Sequence, residues 1–480
     1  MEIDTICFNG DFKLIRGTNM IFSSITFLFY FLPIVLAIYY IVPHKLKNII
    51  LLIASLVFYA YGEPKYVVIM MISIVITYIF GILIGKYEKY KKIFLILSIS
   101  ASIGVLTYFK YINFIIENIN LWLSNKIDFL YVVLPIGISF YTFQLISYII
   151  DVYRSEAKVQ KNILKLAMYI SLFPQLIAGP IVRYTTVEEQ IEKREYSFAK
   201  FANGVRRFII GLGKKVLIAN VIGELNSAFL VSNDNTVLFY WLYAISGMLQ
   251  IYFDFSGYSD MAIGLGKMFG FDFLENFNYP YIATSITDFW RRWHISLSSW
   301  FRDYIYIPLG GNRVSKIKWL RNIMIVWLLT GLWHGAAWNF IIWGLYFGIL
   351  LIIEKVFLSK YLEKLPKVLR HVYTLLIVMI SFIIFNGENT DQILQNIGGL
   401  VGINSSAVLS PESLYHFKSY LIVLLVGFIG ATPIFRGFAN KEKIHKVINC
   451  IEPIFLLLIL TICTSYIIDG SFNPFLYFRF

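Results

Sequence analysis

Charge is scarce in this sequence. Asp, Glu, Lys and Arg make up 15% of its 480 residues, against about 25% in a typical soluble domain. So little charge cannot clothe a water-exposed surface, which excludes an ordinary soluble protein. Cysteine is scarcer still. Cys7, Cys450 and Cys463 are scattered, with no C-x-x-C pair, which argues against a disulfide framework and against a thiolate metal site. Several catalytic signatures are missing too: there is no G-x-S-x-G elbow, no H-E-x-x-H pair and no Walker A loop. Gly264-Leu-Gly266-Lys-Met-Phe-Gly270 misses the G-x-G-x-x-G spacing by one residue and follows no βαβ strand, so it reads as a loop or a helix-packing feature. No bound cofactor and no metal is expected. There is no 20–50-residue repeat, low-complexity tract or separate soluble domain.

What is present is apolar length: 58% of the residues are hydrophobic and 18% aromatic. A spanning helix needs about 20 mainly apolar residues. Candidate runs lie at 21–42, 48–61, 66–85, 93–109, 129–150, 163–181, 208–222, 236–252, 322–333, 338–357, 370–386, 420–435 and 450–468. The pieces near 48–61, 208–222 and 322–333 are short for a crossing, so re-entrant or interfacial helices are expected among them. The fold class is therefore an all-α polytopic membrane protein with about 11 transmembrane helices. Residues 1–19 form a polar extension, and translation starting at Met20 is a reading the sequence allows. Residues 20–480 read as a single multi-pass domain. The Ile21 to Val42 run is too long for the h-region of a signal peptide and is read as a retained first helix.

The net charge of +13 raises nucleic acid as a partner. The basic residues, however, sit in short clusters between apolar runs and build no extended basic face, so membrane lipid is the expected neighbour and nucleic acid is not. Lys45 and Lys47 follow the first run, and Lys86, Lys89, Lys91 and Lys92 follow the third. The positive-inside rule makes both loops cytoplasmic, which puts Met20 outside and, with an odd number of crossings, Phe480 inside. Lys13 and Arg16 oppose this orientation.

Two polar stretches interrupt the pattern, Arg183 to Arg207 and Phe253 to Arg321. The second carries Asp254, Ser256, Ser259 and Asp260, then Asp288-Phe-Trp-Arg-Arg-Trp-His294-Ile-Ser-Leu-Ser-Ser-Trp, then Phe301-Arg-Asp-Tyr to Arg313. Helical spacing would put Trp290, His294 and Leu297 on one face and let Asp288 pair with Arg291. An interfacial helix with Trp and Arg at headgroup level gives the same pattern. Further on, Gly331-Leu-Trp333-His334-Gly-Ala-Ala-Trp-Asn339 joins two apolar runs, and Gly331 and Gly335 are spaced for close helix approach. An ionisable side chain there is costly and is by default a functional hypothesis, although a neutral imidazole bonded to a helix carbonyl is the bland alternative. Of the six histidines, His44, His371, His416 and His445 sit in polar loops or at run ends. His294 and His334 remain, 40 residues apart. An imidazole with a pKa near 6.5 can take a proton from a hydroxyl at neutral pH.

Read in order, several segments resemble the membrane-bound O-acyltransferase family, nearest its alginate O-acetyltransferase branch. They are Met20-Ile-Phe-Ser-Ser, Leu134-Pro-Ile-Gly-Ile-Ser-Phe-Tyr-Thr-Phe-Gln144, Asp151-Val-Tyr-Arg154, Phe173 to Pro180, Tyr252-Phe-Asp-Phe-Ser-Gly-Tyr-Ser-Asp260, Asp288 to Ser299, and Gly331 to Asn339. They concentrate in a core at about 134–340. Past about Leu400 the likeness is one of hydropathy alone. The resemblance implies a ring of tilted helices around a central tunnel and an acyl transfer in which His334 is the general base. His294 would bind or orient the acceptor or the thioester. Asp288, Trp290, Arg291, Arg292, Arg302, Trp333 and Asn339 are candidate substrate- or donor-binding residues, the arginines for the phosphates of acetyl-CoA as acyl donor. Ordinary positive-inside anchoring is the alternative for each arginine. The resemblance further implies a bacterial plasma-membrane location, an exopolysaccharide or cell-wall glycan as acceptor, and an extracellular SGNH-type partner. A D-alanyl transferase of the teichoic-acid type and a non-enzymatic transporter are the competing readings.

Overall fold

In the computed structural model, the described residues are 20–177, 179–403, 405–434, 442–470 and 473–474, with side chains described outside 442–449. Residues 1–19 and Phe480 lie outside the described residues, and with them the readings placed there. The described residues form helices and no strands. Among the described residues, seven helices are long and apolar enough to cross a bilayer: His44–Gly62, Tyr66–Lys86, Glu88–Asn120, Trp338–Leu362, Lys367–Asn386, Pro411–Gly430 and Cys450–Ile468. Their surfaces stay largely open, with between 6% and 44% of each apolar window buried in the protein. Apolar faces left outside the protein core are what a lipid-facing helix presents, because in hydrocarbon only a hydrogen-bonded helix leaves no backbone group unsatisfied. The 48–61 run, read as short for a crossing, is part of a helix of crossing length.

At the centre stands one helix of 32 residues, Val237–Met268, about 48 Å long at 1.5 Å per residue. It runs well past the predicted end at 252 and takes in the polar Asp254 to Asp260 segment, which is buried inside it rather than looped out. Buried nearly all round, it packs along the helix Phe198–Gly213, which continues through Lys214–Asn220 into Val221–Val231. Glycines set that contact. A Cβ on Gly204 would lie 2.7 Å from the Gly264 carbonyl oxygen, and one on Gly211 would lie 2.6 Å from that of Gly257. Two glycine pairs seven residues apart thus bring two backbones into van der Waals contact. The carboxylates of this helix are paired: Asp260 binds Lys214 and Arg207 at 2.7 Å, and Asp254 pairs with the equally buried Lys215. Pairing of this kind is what makes a buried charge tolerable.

Two other predicted runs are corrected. Residues 129–137 are not helical, and the helix starts at Ile138 after Gly137, whose φ of +72° excludes a continuing helix. The 163–181 run divides into Ile163–Ser171 and Phe173–Leu176, because Pro174 has no N–H to extend the first helix.

Candidate active site

The Trp333 indole is the meeting point of the site. Its ring lies 5.9 Å from the His294 imidazole and 5.0 Å from the His334 imidazole, centre to centre. The two imidazoles can be no further apart than those two distances laid end to end. Both are buried, His294 completely and His334 to 3% exposure. Aromatic rings wall the space: Phe255 meets His294 edge-on at 4.7 Å, and Trp343 and Phe385 meet His334 at 4.9 and 5.2 Å. Phe140 and Phe143 close the other side of Trp333 at 5.3 and 5.6 Å.

Each histidine sits at a helix end. His334 is the last residue of Lys316–His334, which turns into Trp338–Ile353. The turn is tight because Gly331 lies against the Phe340 carbonyl and Gly344. Gly335 does not pair with a neighbouring helix as its spacing suggested; it lies in the turn, under the Phe340 ring. The last carbonyls of a helix have no partner within it. Here the segment Thr107–Tyr111 supplies them: Tyr111 Oη donates to Leu332 O at 2.6 Å, and Lys110 Nζ donates to Trp333 O and, at 3.4 Å, to His334 O. Lys110 also donates to Ser139 Oγ at 3.0 Å. Sequence reasoning passed over Lys110 because the 93–109 run was ended one residue before it. The signal was its position as a lone charge inside an apolar stretch.

His294 does not continue a helix with Trp290. The chain breaks between Ile286–Arg292 and Ile295–Phe301, and His294 caps the second helix at φ +42°. The single face predicted for Trp290, His294 and Leu297 is therefore corrected. The cause lies in a buried residue of the segment after the central helix: Asn276 O accepts the Ile295 N–H at 2.9 Å. Asn276 Oδ1 also faces His294 Nδ1 at 3.1 Å. The entering helix is held by Glu354, whose carboxylate accepts the N–H groups of Ile286 at 2.7 Å and Thr287 at 3.1 Å, a favourable place for negative charge.

The other predicted residues fall into two groups. Trp290 is buried against Trp327, Trp343 and Phe347, next to the wall of the His334 pocket rather than in it. Asn339 ties the turn down, its Nδ2 donating to Phe385 O at 2.9 Å. Asp288 pairs with Arg292 at 2.8 Å, not with Arg291, since acid and base four apart meet best in that order along a helix. Arg302 is paired with Asp303, which also binds Arg183. Arg291 is exposed and has no ion pair among the described residues. Among the described residues no group of His, Cys, Asp and Glu is arranged to hold a metal.

Comparison with known proteins gives this arrangement its context. The sequence profile of the MBOAT, membrane-bound O-acyltransferase family matches residues 154–390. The chain is 45% identical over 379 residues to the probable alginate O-acetylase AlgI of Azotobacter vinelandii, covering 78% of this chain and 76% of that protein. It is 34% identical to the peptidoglycan O-acetyltransferase of Helicobacter pylori over 98% of this chain and 99% of that one. That alignment carries the likeness well beyond Leu400, where hydropathy alone was expected. The teichoic acid D-alanyltransferase of Bacillus subtilis is 33% identical over 53% of this chain and 69% of its own. With its helical membrane architecture and these relatives, the chain belongs to the membrane-bound O-acyltransferase family and is an O-acyltransferase.

Proposed function

We propose that this enzyme moves acetyl groups from acetyl-CoA across the bacterial plasma membrane toward O-acetylation of an exopolysaccharide or cell-wall glycan, with an extracellular SGNH-type protein as partner. His334 is the general base and His294 orients the hydroxyl substrate. The observation that supports this reading is the packing of two buried imidazoles against one indole. In the step itself His334 takes the proton of the acceptor hydroxyl as its oxygen attacks the thioester carbonyl. The carbon–sulfur bond then breaks, and the proton passes to the departing thiolate. General-base assistance contributes typically 10²–10⁴-fold, and an aromatic enclosure keeps competing water from the thioester. Of the three arginines proposed for the donor phosphates, Arg292 and Arg302 are occupied by carboxylates. The role therefore falls first to exposed Arg291. The D-alanyl alternative is supported by a relative that matches a smaller share of the chain.

The test is acetyl transfer by purified His334→Ala protein. A fall of at least about 10²-fold is expected, with folding and donor binding retained. Wild-type turnover in that variant would remove His334 from the chemistry. Loss of transfer of a D-alanyl rather than an acetyl group would favour the alternative substrate.

A further inference from the structure

Asn276 is wholly buried, and its four side-chain contacts determine which way its amide points. The Ser296 backbone N–H, which can only donate, reaches Oδ1 at 3.2 Å, and the Ser296 hydroxyl reaches the same oxygen at 2.9 Å. That hydroxyl in turn accepts the Ile181 N–H at 3.0 Å, and of the two atoms its own hydrogen can reach, Asn276 Oδ1 at 2.9 Å is closer than His294 Nδ1 at 3.4 Å. On the other side Nδ2 donates to Ser259 Oγ at 3.0 Å. The atom facing His294 Nδ1 at 3.1 Å is therefore an acceptor oxygen. An unprotonated Nδ1 would set two lone pairs against each other at that distance. The hydrogen of a neutral imidazole thus sits on Nδ1, since the hydrogen bond made by one ring nitrogen decides the state of the other. Nε2 is left with its lone pair. It is buried and has no hydrogen-bond partner among the described residues, and a buried polar atom in that state calls for an explanation.

We infer that Asn276 is a positioning residue that locks His294 as a hydrogen-bond acceptor at Nε2, so that His294 receives the hydroxyl of the glycan acceptor and not the carbonyl oxygen of the thioester. A carbonyl oxygen needs a donor, and this tautomer offers none at Nε2. A hydroxyl has the hydrogen to give. A hydroxyl has one hydrogen, so it rests on His294 Nε2 in the waiting complex and turns to His334, across the shared Trp333 ring, which takes it as the oxygen attacks. This inference rests on the proposal that His294 belongs to the acyl-transfer site and settles which substrate it serves. Asn276 was not singled out in the sequence: it stands between Glu275 and Phe277 in the polar stretch Phe253 to Arg321, with nothing local to tell it from Asn278.

The experiment is nitrogen NMR of the full-length protein carrying ring-labelled histidine, with His294→Ala identifying the signal, alongside transfer kinetics. In the wild-type protein His294 should show a protonated Nδ1 and an unprotonated Nε2 at a pH where the ring is neutral. Asn276→Leu should lose that single tautomer and lower kcat by about tenfold or more, leaving the donor KM nearly unchanged. Asn276→Asp, which keeps the acceptor oxygen, should recover both the tautomer and most of the rate. A wild-type His294 protonated at Nε2 would overturn the inference, and so would Asn276→Leu protein with unchanged kcat. Should the leucine variant fail to fold, the wild-type tautomer alone decides. A fully active His294→Ala enzyme would instead bring down the underlying site assignment, whichever tautomer is found.

Discussion

Replacing Gly331 with alanine adds one methyl group at the point where the helix carrying His334 meets its successor. That methyl carbon would lie 2.3 Å from the Phe340 carbonyl oxygen and 3.4 Å from the Gly344 Cα, where 3.4 Å is the beginning of ordinary contact. Both obstacles are backbone atoms, so no rotamer change relieves them. The hairpin must open by about 1 Å, and overpacking of this kind costs about 1–3 kcal/mol. His334 lies three residues further on, at the end of the same helix. For the base proposed at His334, a displacement of about 1 Å costs on the order of 10²-fold in rate. The expected outcome is a Gly331→Ala protein that assembles with a lowered melting temperature and transfers acetyl groups about 10²-fold more slowly than wild type. The assay is acetyl incorporation from acetyl-CoA by purified protein, with thermal unfolding measured on the same preparation. Gly104→Ala is the control, because nothing lies within 4 Å of its added carbon and alanine favours a helix by up to about 1 kcal/mol. Turnover in Gly331→Ala within about twofold of wild type, with unchanged melting, would refute the link from helix contact to catalytic position.

Lys110→Met leaves the carbonyls of Trp333 and His334 without their donor, a loss of about 1–3 kcal/mol for buried polar groups. Transfer should fall about tenfold at an almost constant donor KM, and an unchanged kcat would show that this helix end is held without the lysine. At the Arg183–Asp303–Arg302 cluster, burial pushes the Asp303 carboxyl up, but the hydrogen bonds and charges of Arg302 and Arg183 outweigh it and hold it below the usual carboxylate range. A depressed value means that its stabilisation is present above the unfolded-state pKa of about 3.9 and is lost as pH falls through the lower folded value. Melting temperature should therefore drop more steeply between about pH 5 and 3 in wild type than in Asp303→Asn, and parallel curves would contradict the pairing. With Cys7, Cys450 and Cys463 replaced, single cysteines at exposed Lys45 or Lys89 should resist membrane-impermeant maleimide in intact cells, because positively charged span ends stay in the cytoplasm. Ready labelling would invert the topology.

The membrane character, the helical class and the two histidines were legible in the sequence because each depends on composition or on a local pattern. Scarce charge and recurrent apolar runs leave few ways to satisfy a backbone other than helices in a bilayer. Ionisable residues such as His294 and His334 stand out against that background because burying them is costly. Run boundaries were less legible. The 236–252 run ended too early because hydropathy counts Asp254 and Asp260 as solvent-seeking, whereas Lys215, Lys214 and Arg207 from the neighbouring helix neutralise them. Asp288 was matched with Arg291, three residues on, whereas within the same helix it meets Arg292, four on; Trp290 was set beside His294 because that reading assumed an unbroken helix. That helix breaks where the Asn276 carbonyl, 19 residues upstream of Ile295, takes the Ile295 N–H. Lys110 and Asn276 act on residues 224 and 18 positions away, and a linear pattern records no such pairing. What the sequence by itself determined is the solvent this protein folds in and the groups that can carry chemistry. Which carbonyl each helix end meets, and which nitrogen of His294 holds its hydrogen, only the tertiary structure decided, because directional hydrogen bonds depend on atoms brought within about 3 Å by the packing of distant segments.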